Sequence, residues 1–164
     1  MPIKTVIFIL SITSLLLTAF LGSKSGNKPA SRQYCNVHYH YCLDYPASLF
    51  SKTWFSPKED SLVFTTLDTL GEISVISTVT NQKLDSHLAF EQRLRALAAP
   101  GGAPNILSLI DGDDYYEVSF LYGGHWYHQK AGFFRGYDVL FTIRVPVNRP
   151  ELMMRMKEDV KIEF

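Results

Sequence analysis

No cluster of lysine and arginine interrupts these 164 residues. A nucleic-acid binder carries a basic footprint, so no nucleic-acid partner is expected. No Gly-x-Ser-x-Gly elbow is present, and no glycine loop opens a helix to cradle phosphate; Gly101-Gly102 follows a helix instead. The five histidines lack ligand spacing. His38 and His40 are separated by an expected turn at His38-Tyr39, His125 and His128 point to opposite strand faces, and His87 stands alone. Asp111, Asp113 and Asp114 lack the spaced ligands and closing Glu of a calcium loop, and read as a solvated turn. A carboxylate pair such as Asp114 with Glu117 could do acid–base work, but any chain of this size has several. No metal, cofactor or catalytic residue is expected. There is no internal repeat and no low-complexity tract.

What is present describes an ordered domain with an export segment. Hydrophobic residues make up 46% and charged residues 20%, the balance of a folded soluble chain. Residues 3–21 are apolar apart from Lys4, Thr5 and a few Ser and Thr. Lys4 supplies a charged n-region, residues 6–21 an apolar stretch, and Ser23-Lys24-Ser25 small residues for cleavage after Ser25. The stretch also approaches the length of a membrane anchor, so residues 1–25 read as a signal peptide or an uncleaved anchor. No Cys follows closely, so no lipoprotein anchor is expected. Either reading exports the rest, and the membrane is met only through this segment. Of the 16 Lys and Arg, Lys4 and Lys24 lie in it, leaving 14 against 16 acidic residues. Residues 26–33 are polar and read as a linker, and residues 34–164 as one domain with a single core.

The clearest pattern runs from Asn105 to Val145. Tyr116, Val118, Phe120 and Tyr122 alternate with Tyr115, Glu117, Ser119 and Leu121. Tyr137, Val139, Phe141, Ile143 and Val145 alternate with Asp138, Leu140, Thr142 and Arg144. A period of two predicts strands whose first-named residues face the core. The strand over 125–134 has Trp126 and Phe134 on one face and Tyr127, Ala131 and Phe133 on the other, so it is expected to be central and covered on both sides. Residues 111–114, 123–124 and 135–136 break the alternation and supply the turns.

Residues 62–67 and 72–80 are two further strands, and residues 47–60, containing Trp54-Phe55, are expected to be a loop. Phe90, Leu94, Leu97 and Ala98 mark the inner stripe of a helix over 86–98, capped by Asp85 or Ser86. A second helix spans about 150–160, with Asn148 or Arg149 as cap, Pro150 in its first turn, and Leu152, Met153 and Met156 facing in. The two cysteines, Cys35 and Cys42, face each other in a short hairpin, close enough to form a disulfide. Export permits the oxidation, and the chain-entropy account assigns so short a loop about 2.5 kcal/mol.

The order of elements resembles the PsbP-like or Mog-type α+β fold. Tyr34-Cys35-Asn36 with Tyr41-Cys42-Leu43-Asp44-Tyr45-Pro46 is similar to the opening of small exported bacterial proteins of this type. Phe64 with Gly71-Glu72-Ile73 resembles their first strand pair, and Trp126-Tyr127-His128-Gln129-Lys130 their Y-x-K strand, one residue longer. Their closing Tyr-Pro is here Val145-Pro146. The resemblance spans residues 34–164 and implies an exported, non-enzymatic domain that binds, assembles or chaperones, with no catalytic or ligand residue carried over.

The fold expected is therefore α+β: an antiparallel sheet of about six or seven strands packed with two helices, the Cys35–Cys42 hairpin at one edge. The first functional expectation is an exported, periplasmic interaction module with an envelope protein as partner. Trp54, Phe55, Trp126 and Tyr127 are its candidate patch, since they exceed what two packing faces need. The alternative is a small apolar ligand held between helix and sheet; an enzyme of unknown type ranks third.

Overall fold

The computed structural model describes residues 30–80 and 85–164. The expected signal peptide or anchor, and residues 26–29 of the expected linker, lie outside the described residues. Residues 31–33 are not linker: they begin strand β1.

Among the described residues ten strands and two helices follow one another: β1 (Ser31–Asn36), β2 (Tyr41–Pro46), a 3-10 turn (Ala47–Leu49), β3 (Phe50–Phe55), β4 (Ser61–Thr66), β5 (Glu72–Val79), α1 (Ser86–Gly101), β6 (Asn105–Asp111), β7 (Tyr115–Tyr122), β8 (His125–Phe134), β9 (Tyr137–Pro146), α2 (Pro150–Asp159) and β10 (Lys161–Glu163). A seven-stranded antiparallel sheet runs in the order β3-β4-β5-β9-β8-β7-β6, and a three-stranded sheet in the order β1-β2-β10. This is an α+β fold. Among the described residues no helix is long and apolar enough to cross a membrane.

The four-strand meander forms as the alternation predicts. Tyr116, Val118 and Phe120 are buried, as are Val139, Phe141, Ile143 and Val145. Gly123 and Gly124, with φ of 55° and 75°, make the two-residue turn between β7 and β8 that only left-handed backbone closes without splaying the strands. That turn sets the register, with Tyr122 opposite His125 and Ser119 opposite His128. α1 begins at Asp85, whose side chain accepts a hydrogen bond from the Leu88 N–H at 2.9 Å.

The core differs from the expectation of one cluster. The buried side chains of β7 and those of β9 lie on opposite faces of the large sheet, as the β7–β8–β9 register requires. One face carries Leu62, Phe64, Ile73, Val75, Val139, Phe141, Ile143 and Val145, covered by α2 and the small sheet. The other carries Tyr116, Val118, Phe120, Ala131 and Phe133 under Ala89 and Phe90 of α1. Leu97 and Ala98 of the expected helix stripe have side chains outside the described residues.

Two further corrections follow. The Cys35–Cys42 hairpin is not at the edge of the large sheet. Its turn carries Tyr39 and β2 carries Tyr41 and Leu43 into the first cluster, and β2 pairs on its other side with β10, so a second layer forms. The disulfide joins directly opposed residues with Cα atoms 4.1 Å apart. Residues 50–55 are not loop but β3, an edge strand on β4 with a bulge between Phe50 and Lys52. Its residues are exposed except for half-buried Phe50, so backbone pairing rather than side-chain alternation makes it a strand.

Met156 is fully buried, whereas Val79 is 67% exposed. Met156→Ala is expected to cost about 2–5 kcal/mol in urea unfolding, and Val79→Ala no more than about 0.5 kcal/mol. Replacing both cysteines by serine is expected to remove about 2.5 kcal/mol, measured on the oxidised parent.

Candidate functional site

The four aromatic residues expected to form one patch are not brought together. Trp54 and Phe55 sit on β3 at one edge of the large sheet, and Trp126 and Tyr127 on β8, four strands along in the order. Successive residues of a strand point to opposite faces, which splits each pair again. Trp54 is 55% exposed; Phe55 rests on Tyr34 with ring centroids 5.2 Å apart. Trp126 packs against the first cluster and donates its indole N–H to the Val147 carbonyl at 3.1 Å. Tyr127 stacks on Phe120 at 5.0 Å. Trp126 and Tyr127 thus have packing roles, and Trp54 is the one that stands most open.

The exposed apolar surface gathers elsewhere, on β6. Every residue of this strand is exposed, and among the described residues it pairs only with β7. Ile106, Leu107, Leu109 and Ile110 are between 38% and 53% exposed. Native edge strands are normally blunted by lysine, proline or bulges. β6 has neither lysine nor proline, only a register shift between Ile106 and Ser108.

A polar pocket of about 310 Å3 opens between β7, β8 and the end of α2, with His128 in its wall. The His128 Nδ1 lies 3.0 Å from Ser119 Oγ, which also accepts from Lys157 Nζ at 3.3 Å. Glu117 Oε1 is 3.8 Å from His128 Nε2. A serine, a histidine and a glutamate in series invite comparison with a hydrolytic triad. The electrostatics oppose it. Burial, then Lys157, Lys130 and Lys161, push the His128 imidazole down to about 4. A base of that strength takes a proton poorly at neutral pH, and the glutamate is beyond hydrogen-bond reach. By sequence alone His128 is a candidate only for metal ligation, and its strand position opposes that. The Gly123-Gly124 turn was the signal that could have placed Ser119 opposite it. His125 turns instead to its own hairpin, Nδ1 lying 3.0 Å from the Gly123 carbonyl oxygen.

The acidic turn after β6 is occupied internally: Asp111 Oδ2 meets His87 Nδ1 at 3.0 Å, and Ser86 donates to the Gly112 carbonyl at 2.6 Å. Among the described residues no three His, Cys, Asp or Glu side chains gather as a metal set.

Between α1 and the large sheet lies a groove of about 290 Å3, the place expected for a small apolar ligand. Its lining is not wholly apolar, because Asp138 and Arg93 share it with Ile76 and Leu140. The alternation on β9 put Asp138 on the outer side; it is 5% exposed, because that end of the sheet lies under α1.

His128 makes stability depend on pH. Its folded pKa lies below the unfolded value, so the unfolded chain binds the proton first, and stability falls as pH drops from about 6.5 to about 4. The expected loss is about 3 kcal/mol. Urea midpoints across this range should slope for the parent and flatten for His128→Gln. Asp60, Asp68 and Glu151, also lowered, act at still lower pH.

No family profile matches the chain, and no curated protein matches it by sequence. Solved structures do: 14 chains match by structure. Among them the solution structure of cyanobacterial PsbP (CyanoP) from Synechocystis sp. PCC 6803 is similar with a TM-score of 0.58 and 16% sequence identity. The match covers 87% of this chain and 99% of that one. Identity this low speaks to architecture alone, and on that level the chain has a PsbP-like α+β fold.

Proposed function

We propose that this chain is an exported, non-enzymatic protein-interaction module that takes an extended apolar segment of an envelope protein along β6. The observation that carries the reading is the open edge itself. The outer side of β6 leaves a row of backbone N–H and C=O groups unpaired within the sheet, flanked by Ile106, Leu107, Leu109 and Ile110. A partner strand added there completes the ladder and covers those side chains, the mode known as β-augmentation. Left open, such a strand is an aggregation hazard, which is a reason for a cell to keep it occupied.

Three features support the rest of the reading. The Cys35–Cys42 disulfide suits an oxidising compartment. The charged and then apolar N-terminal residues suit export, to the periplasm or the outer face of the membrane. The weakly basic His128 suits a domain without hydrolytic chemistry.

The partner is sought by capture from envelope extracts on immobilised protein. Ile110→Lys and Leu109→Lys should each abolish retention of the partner while shifting the thermal midpoint little. Trp54→Lys at the opposite edge should retain it. In the complex, β6 amides should exchange more slowly with solvent. Retention that survives both lysine substitutions would show that the edge is not the docking site.

A further inference from the structure

Asp138 is a buried carboxylate that the fold leaves incompletely satisfied. It is 5% exposed, and among the described residues its Oδ1 has no hydrogen-bond partner. Burial raises its pKa above the ordinary range, against the pull of Arg93. It lines the groove under α1, and Arg93 stands on the helix wall of the same groove. Arg93 donates through Nη1 to Tyr116 Oη at 2.9 Å and its guanidinium lies 5.8 Å from the centroid of that ring. Ile76, 45% exposed, together with Ala96 and Leu140, supplies apolar walls. Gln129 is anchored through Nε2 to Thr142 Oγ1 at 3.3 Å, which leaves its carbonyl oxygen as a second acceptor.

These groups discriminate among ligand classes. A wholly apolar occupant would cover Asp138 and Arg93 without offering either a partner, which is costly. A simple cation would suit Asp138 and meet a like charge at Arg93; a simple anion would do the reverse. A molecule with opposite charges at one end and an apolar body satisfies all three walls. We propose that this groove binds a small zwitterion with an apolar body, an apolar α-amino acid, its ammonium on Asp138 and its carboxylate on Arg93. The volume of about 290 Å3 sits near the lower end of small-molecule sites, which suits one amino acid better than a lipid. The site is independent of the β6 edge and lies on the face covered by α1.

The test is an NMR titration of the oxidised protein with L-leucine, leucine amide and 4-methylpentanoate. The amide lacks the carboxylate, and the acid lacks the ammonium. Leucine should give saturable amide shifts at Thr78, Gln129 and Leu140 in the millimolar range. Each truncated probe should bind roughly tenfold more weakly or worse, as loss of a charge-assisted hydrogen bond requires. Asp138→Asn should weaken leucine by a similar factor and hold or raise the thermal midpoint, since it removes a buried charge without a full set of partners. Ala96→Phe, which fills the groove, should abolish binding. The proposal is overturned if leucine gives no saturable shift, if leucine amide binds as well as leucine, or if folded Asp138→Asn binds leucine unchanged.

Discussion

Between β7 and β9 the buried apolar face of the large sheet changes sides. β9 sends Val139, Phe141, Ile143 and Val145 to one side, while β7 sends Tyr116, Val118 and Phe120 to the other. Apolar surface left in water costs about 25 cal/mol per Å2, so each half needs its own cover. β8 lies between them with Trp126 and Phe134 toward the first cluster and Tyr127, Ala131 and Phe133 toward the second. The remaining architecture follows from supplying two covers. α2, with the hairpin layer stapled by Cys35 and Cys42, closes one side. α1, on the connection from β5 to β6, closes the other.

That division also decides what remains open. α1 covers β7 but β6 keeps every residue exposed. The same helix leaves a groove over β5, β8 and β9, where Asp138 is enclosed by its neighbours without being fully hydrogen-bonded. On the opposite face, burial under α2 and β10, and after it the charges of Lys157, Lys130 and Lys161, keep the His128 imidazole neutral. Each polar feature that stands out is therefore a residue on the less apolar side of its strand, caught under a cover placed for the sake of the apolar side.

How much of this was legible varies by element. The meander was legible because strict alternation over eight to ten residues has one interpretation, and the hairpin because seven positions separate two opposed cysteines. Strand β3 was not. Phe50 to Phe55 lacks alternation, and its pairing with β4 rests on backbone groups common to every residue. The aromatic patch failed for a related reason: adjacency in sequence places Trp126 and Tyr127 on opposite sides of a strand. Their surplus was taken up by two clusters where one had been expected. The β6 edge is not legible in the sequence, because its apolar residues look like core until the absence of a cover is known.

Local chemistry, read from the residues alone, was enough for the strands with clean periodicity, the two helices, their starting turns and the disulfide. All of these depend on neighbours within a few positions. Which face each strand buries, which strand ends the sheet, and what lies over Asp138 and His128 depend on the order in which distant strands pair. Those were decided only in the folded chain. A period of two states that a strand has two unlike sides, but it does not say on which side of the finished sheet a cover will be found.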